Sequence, residues 1–593
     1  MTLEDCRSYI VYFTEPRKLL ASFVAAYGIW WLAKKVKSRN QLLTLRKLNS
    51  EKKRSADRRK ARMKEELQTT DEDVLKRRRD IVDMPLTKLV DEIKSGKFSA
   101  QEVLQAFQAK ALEATEEVNC VTEMIEEAKD IAQLLDSQDE SHGLLHGIPF
   151  SIKDNIDVKG YDSSLGLTKF INSPLDEDSV VVKILRLQGA IPFAKTNIPQ
   201  IVGSFSCSNP IYGETIHPTD RTRCPGGSSG GEGALICCNA SPLGIGTDIG
   251  GSVRIPAHFC GICGLKPTKH RISTKGVRVG RPGIKGVSST PGPMARDVDS
   301  LVLFMRALLV PEMFELDSSV PPLVFNEKVY NSHKRLRIGY CCDSKLFPPV
   351  PSCRRAVLLT KQLLEESGHI LVPFQFPEED GTESPMLYLL RVLNAVKRPK
   401  KSLMEGEVVD GFRQLQSKTP NRSRLQRILM RPFQSQRERI LSDLYNTGLE
   451  GIEELNCLYA TIENYNQLFM AHWKKEALDL LITPVAVSTA VSSTMAAKFS
   501  AMLQGWSAVF NALDYPAGTL PITNVTEEDD GELENSYQEN DMWYKLIKKA
   551  CKNSAGLPVG VQCVALPWQE EMCLRIMKEI ENLVNLRNQQ QGQ

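Results

Sequence analysis

Residues 225–254 constrain this chain more than any other stretch. They hold two glycine clusters, PGGSSGGEG (Pro225 to Gly233) and GIGTDIGGSVR (Gly244 to Arg254). Glycine takes positive φ freely and lets backbone approach a ligand closely, so clusters of this density mark tight loops at a site. Gly226 to Gly230 fits G-x-S-x-G, the nucleophile-elbow pattern, but any glycine-rich run containing serines meets that pattern often by chance. The second cluster is more informative. Successive N–H groups in such a loop can converge on one oxygen and form an oxyanion hole. Ser252 ends the loop, immediately before Val253-Arg254-Ile255-Pro256. A serine at the end of its own oxyanion loop is well placed as a nucleophile.

A serine nucleophile needs a base. The chain has eight histidines, and none lies in a recognisable motif. The other candidate is Lys153, which follows the short apolar run Ile148-Pro149-Phe150-Ser151-Ile152. Enclosure lowers a lysine's pKa, so its neutral amine can accept a proton. Ser228 can supply the hydroxyl that relays between Lys153 and Ser252.

From about Val82 onward helical and strand patterns alternate, which predicts an α/β layered fold. Glu102 to Ile131 has helical periodicity. Apolar runs at Gly147–Ile152, Ala190–Ala194, Leu336–Tyr340, Leu480–Thr483 and Gly560–Val564 read as buried strands, and Glu571 to Leu586 as a closing helix. The 15 cysteines show no repeating spacing, which points to reduced thiols in a cytosol-facing protein. Cys260-Gly261-Ile262-Cys263 is a lone C-x-x-C that reads as two packed side chains, so no metal is expected.

Leu19 to Ala33 carries no charge and is bounded by Arg17-Lys18 and Lys34-Lys35. As a helix it is about 22 Å long, short of the ~30 Å hydrocarbon core. Snorkelling cations and interfacial Trp30 and Trp31 can cover the difference. The expected layout is a membrane anchor over 1–33, a single transmembrane helix retained rather than cleaved, then a basic helical stalk over 34–80. Between Lys34 and Lys64 there are 14 Lys and Arg against two acids, which keeps that side in the cytosol and suits anionic headgroups.

Three motifs then occur in order. They are Gly226-Gly227-Ser228-Ser229-Gly230-Gly231, Gly246-Thr247-Asp248-Ile249-Gly250-Gly251-Ser252-Val253-Arg254, and Gly261-Ile262-Cys263-Gly264-Leu265-Lys266-Pro267-Thr268. Together they resemble the amidase signature family, and within it the fatty-acid amide hydrolase branch. The resemblance covers nearly the whole chain, including Cys207-Ser208-Asn209-Pro210, Gly292–Val298 and Val561–Glu570. It implies an amidase-signature fold, a central twisted mixed β-sheet surrounded by helices, over 81–587, with a disordered tail at 588–593. It also implies a membrane-bound serine hydrolase without cofactor, acting on a lipid amide through an acyl-enzyme. By family position Lys153 is the base, Ser228 the bridging serine and Ser252 the nucleophile. The oxyanion donors are the N–H groups of Ile249, Gly250, Gly251 and Ser252. Ser229 is a supporting neighbour, and Asp248 and Arg254 form a structural ion pair. Membrane lipids and a second copy in a homodimer are the implied partners, nucleic acid is not, and the implied location is the endoplasmic reticulum or another endomembrane.

One region departs from that branch. The membrane-facing cap falls at about 410–444, where Arg413 to Arg439 holds eight Lys and Arg against one acid. Leu425, Ile428, Leu429, Met430 and Phe433 leave one modest amphipathic patch, so docking is expected to lean on anionic lipid. Two rivals stand beside the main reading. One is a soluble amidase or the glutamine-hydrolysing subunit of an amidotransferase; the other is a membrane scaffold that kept the fold.

Overall fold

The computed structural model describes residues 3–591, apart from 139–141, 281–282, 285, 288, 345, 347, 378–402, 405–406, 408–450, 499–502 and 538–540. The expected cap at 410–444 therefore lies outside the described residues, as do 592–593.

Thirteen strands are described. They are β1 (Val121–Met124), β2 (Pro149–Lys153), β3 (Ile191–Thr196), β4 (Ser208–Asn209), β5 (Gly213–Glu214), β6 (Leu243–Asp248) and β7 (Cys263–Lys266), followed by β8 (Thr290–Ala295), β9 (Arg337–Tyr340), β10 (Ile370–Pro373), β11 (Leu480–Pro484), β12 (Ala517–Asn524) and β13 (Pro558–Val564). Eleven of them form one sheet, ordered β1-β3-β2-β6-β8-β7-β12-β13-β11-β9-β10, while β4 and β5 pair separately. The sheet is mixed. β2 runs parallel to β3 and β6, whereas β6 and β7 are antiparallel to β8. Every residue of β2, β3, β6, β7 and β8 is buried, as expected of central strands covered on both faces.

The five strands expected from apolar runs are present as β2, β3, β9, β11 and β13. β6, β7 and β8 escaped because their sequences, LGIGTD, CGLK and TPGPMA, look like loops. Their glycines mark close approach. A Cβ on Gly246 would sit 2.7 Å from Ser229 Oγ, and one on Gly264 2.9 Å from Val253. The serine-bearing turns pack where the sheet has no side chains. The single helix expected over 102–131 is corrected to a helix Ala100–Val118, strand β1 and a helix Ala128–Asp136. Asn119 breaks it by taking the left-handed conformation at φ 55°, and Val121–Met124 then pairs with β3. The closing helix spans Glu570–Gln591, so residues 588–591, expected as a tail, are helical.

The N-terminal helix runs unbroken from Leu3 to Leu67, about 97 Å at 1.5 Å per residue. Among the described residues no helix is long and apolar enough to cross a membrane. Its two ends behave differently. Tyr27, Ile29, Trp30, Trp31, Leu32 and Val36 are exposed, whereas Leu45, Asn49, Lys52 and Ala56 are buried against the body. Lys52 Nζ reaches Glu123 at 2.5 Å and Asp162 at 2.7 Å, and Arg59 reaches Glu123 at 2.7 Å.

Candidate active site

Three central strands converge on one point. β2 ends at Lys153, β3 ends at its register partner Thr196, and β6 carries Thr247 and Asp248. Beneath them the helix Gly230–Cys237 starts directly after Ser228 and Ser229.

Lys153 has no exposed surface. Its Nζ lies 2.8 Å from Ser228 Oγ, 2.8 Å from Thr247 Oγ1 and 3.2 Å from Thr247 O. Three oxygens thus surround the nitrogen: an ammonium donates to all three, whereas a neutral amine donates to two and can turn its lone pair to the Ser228 hydroxyl. No carboxylate among the described residues touches it. Burial pushes its pKa down to about 7, against weaker opposition from Asp248, Cys207 and Glu232. The arrangement is that of a lysine able to take a proton from Ser228 near neutral pH.

Ser252 is almost fully buried, and its carbonyl accepts from the Ser229 N–H at 3.1 Å. No hydrogen bond among the described residues joins the Ser228 and Ser252 hydroxyls. Ser229 stitches the turn together: its hydroxyl accepts from Thr247 N–H at 3.3 Å, and its carbonyl accepts from Gly233 N–H at 3.0 Å.

The glycine loop after β6 is held from below by Asp248. Its carboxylate accepts from Gly251 N–H at 2.7 Å and Val253 N–H at 3.0 Å. The Gly251 N–H is thus turned to Asp248, which differs from its expected place among the oxyanion donors. The reason is the backbone: Gly251 takes φ +115°, where a Cβ is disfavoured and would also strike the Ser507 hydroxyl. The Ile249, Gly250 and Ser252 N–H groups make no hydrogen bond within the described residues.

Asp248 and Arg254 are both fully buried and paired at 3.1 Å. Arg254 also donates to Ser507 O, Gln562 Oε1 and Asn511 Oδ1 at 2.6–3.0 Å. Against the cost of burial, Arg254 holds the Asp248 carboxyl well below its usual range. A pair so completely hydrogen-bonded fixes the loop rather than reacting.

The sequence reading missed two residues. Thr247 supplies two of the three Lys153 contacts; its signal was its place one residue before Asp248 on a strand, facing the opposite side. Glu232 is fully buried behind the lysine, and its signal was a lone acid inside the glycine-apolar run GGEGALI.

The amidase family model matches residues 102–574. Fatty-acid amide hydrolase 1 of Sus scrofa is 43% identical over 84% of this chain and 86% of that protein. Fatty acid amide hydrolase 1 of Caenorhabditis elegans is 37% identical over 85% of this chain and 89% of that one. Among solved structures, a fatty acid amide hydrolase superposes with TM-score 0.71 at 25% identity, covering 86% of each chain. A 6-aminohexanoate cyclic dimer hydrolase, at 21% identity and TM-score 0.62 over 85% of this chain and 98% of that one, shares the fold.

Proposed function

The chain belongs to the amidase family and hydrolyses amides, and we propose that its substrates are fatty-acid amides, N-acylethanolamines and primary fatty amides among them, cleaved at a membrane surface by Lys153, Ser228 and Ser252. One observation carries the reading of the chemistry: a fully buried lysine 2.8 Å from Ser228 Oγ, with no carboxylate among the described residues in contact.

Neutral Lys153 takes the Ser228 proton as Ser228 takes that of Ser252, whose oxygen attacks the amide carbonyl. The developing oxyanion meets the N–H groups of Ile249, Gly250 and Ser252, which have no partner within the described protein. As the C–N bond breaks, Ser228 returns a proton to the leaving nitrogen, since an amine anion is a very poor leaving group. Water then repeats the cycle on the acyl-enzyme and frees the acid. Fatty rather than short substrates are supported by the similarity to fatty-acid amide hydrolases. Membrane association is supported by the exposed apolar front of the N-terminal helix, where Lys34 and Lys35 lie over the Trp30 and Trp31 rings at 4.8 and 4.7 Å. We place the protein, by the same similarity, as a homodimer on the endoplasmic reticulum or another endomembrane, its catalytic domain in the cytosol.

The test is a panel of acyl ethanolamides, primary fatty amides, short amides and glutamine, run beside labelling with a serine-reactive fluorophosphonate. Ser252→Ala is expected to abolish labelling and lower hydrolysis by about 10⁶-fold. Turnover confined to short amides or glutamine would overturn the substrate assignment. Labelling that survives in Ser252→Ala but is lost in Ser228→Ala would overturn the triad. Removing residues 1–33 is expected to leave activity intact and membrane binding partial and weakened by salt, because attraction of basic residues to anionic lipid is screened over about 8 Å at physiological ionic strength. Membrane binding that is equal at low and high salt would mean purely hydrophobic insertion.

A further inference from the structure

Glu232 has no part in the mechanism above, yet its surroundings are built for it. It sits in the first turn of the helix Gly230–Cys237 and its carboxyl is plugged between three strands. Oε2 lies 2.5 Å from Ser151 Oγ on β2, and Oε1 lies 2.7 Å from Thr196 Oγ1 on β3. Ser151 is two residues before Lys153, on the same side of the strand. Thr196 is the register partner of Lys153, and Gly244 on β6 is the register partner of Ser151. A Cβ on Gly244 would run into the Glu232 carboxylate, so that glycine makes its space.

The lack of a counter-ion, rather than the hydrogen bonds, points to one protonation state. Ser151 Oγ also lies 3.3 Å from Leu243 O. A carbonyl only accepts, and a serine hydroxyl has one proton. Leu243 O already accepts from the Ser241 hydroxyl at 2.6 Å, so Ser151 is free either to donate to a Glu232 carboxylate or to accept from a Glu232 acid, and the choice rests on the counter-ion. Among the described residues no cation pairs with Glu232, and a fully buried carboxylate without one is costly. Burial pushes its pKa up to about 8, while the two hydroxyls and Lys153 only partly oppose that.

We propose that Glu232 is a positioning residue kept as a neutral carboxylic acid, which clamps β2, β3 and the serine-bearing turn together so that Lys153 faces Ser228 with no negative charge to hold a proton on it. The other groups facing Lys153 fit this picture. Asp248 is engaged by Arg254, and burial raises the Cys207 thiol to about 12. Lys195 on β3 turns the other way, toward the Asp162 and Ile156 carbonyls and the Ser163 hydroxyl. The role rests on Lys153 being the base of the proposed reaction.

Glu232→Gln separates the alternatives, because an amide copies the pattern of a neutral acid: one end donates to Ser151, the other accepts from Thr196. We expect kcat/KM within about threefold of the parent and the acid limb of the pH–rate profile within ~0.3 unit. An ionised Glu232 would have been holding a proton on Lys153. Removing that charge would lower the lysine's pKa and carry the limb to lower pH by about one unit or more, and that outcome overturns the proposal. Infrared difference spectra of the resting protein give a reading that needs no turnover. A protonated-carboxyl C=O band present in the parent at neutral pH and absent in Glu232→Gln supports the proposal, and the absence of such a band overturns it, whatever substrate the enzyme uses. Should Glu232→Gln not fold, Glu232→Met carries the same pH comparison.

Discussion

Lys153 and Lys52 are both lysines sunk into the same domain, with 0% and 7% of their surfaces exposed in the order named, and their surroundings drive them in opposite directions. Among the described residues the Lys153 Nζ contacts are hydroxyls and a carbonyl, and burial lowers its pKa to about 7. Around Lys52, burial works the same way, but Glu123 and Asp162 at 2.5 and 2.7 Å more than offset it and the pKa rises. Burial alone therefore does not make a base. The counter-ion decides, and in the proposed mechanism Lys153 lacks one because β2 ends among Ser228, Thr247 and the proposed neutral Glu232 while Asp248 is committed to Arg254. Lys52 has the opposite task of fastening the N-terminal helix to the body.

The sharpest way to break this contrast is Lys153→Met. Amide hydrolysis is expected to fall by about 10² to 10⁴. A matched ester should lose less, because an alkoxide leaves with little protonation whereas an amine needs the proton routed through Ser228. In the parent enzyme activity should rise with pH through about 7 as the amine becomes neutral. The same substitution should make the protein more stable. The folded-state pKa lies below the ordinary lysine value of 10.5, so between those values the unfolded chain binds more protons and stability climbs with pH. The cost of burying this lysine is thus largest at and below pH 7, where Lys153→Met should gain about 0.5–2 kcal/mol, a gain that vanishes toward pH 10.5. Urea unfolding at pH 7 and pH 10 reads it. Equal loss for ester and amide, or a variant less stable than the parent at pH 7, would mean Lys153 is an ordinary structural cation.

Lys52→Met should do the reverse. Among the described residues it leaves Asp162 without its cation and Glu123 with Arg59 as its remaining cation, beside the Tyr212 hydroxyl. Breaking a buried pair by removing one partner typically costs about 3–5 kcal/mol, and the lower end is expected here because Arg59 remains. Activity per folded molecule should be unchanged. A loss below about 1 kcal/mol would show that the helix is held by its apolar contacts, Leu45 and Ala56, instead.

The two lysines also differ in how legible they were. Lys153 could be picked out in the sequence as a candidate because it ends an apolar run and because a serine nucleophile in the glycine loop would need a base. The nearby strands could not, since LGIGTD and TPGPMA spend their glycines on close packing against Ser229 and Val253, and period-two patterning needs side chains to show itself. Lys52 looked like one cation among many in a basic stretch. Nothing local reveals that Glu123 and Asp162, 71 and 110 residues further on by their numbers, return to meet it; that is long-range topology. The contact of the Gly251 N–H with Asp248 was hidden for a related reason. The loop's glycines were visible, but not the Asp248 carboxylate that turns one N–H inward.

The smallest effect tests what Lys153 has in place of a carboxylate. Thr247 Oγ1 lies 2.8 Å from its Nζ, and Thr247→Val removes that oxygen while keeping shape and leaving Thr247 O at 3.2 Å. A hydroxyl oxygen accepts from an amine and from an ammonium, and more strongly from the charged form. Losing it should therefore lower the lysine's pKa and carry the acid limb to lower pH by about half a unit. The plateau should fall by about tenfold, because an amine with one fewer anchor points less consistently at Ser228. The two shifts oppose each other below the limb, so the variant should look least impaired in acid. A limb displaced to higher pH would mean that Thr247 had been stabilising the neutral amine, and the account of how this site differs from the Lys52 latch would have to be redrawn around a donated rather than an accepted proton.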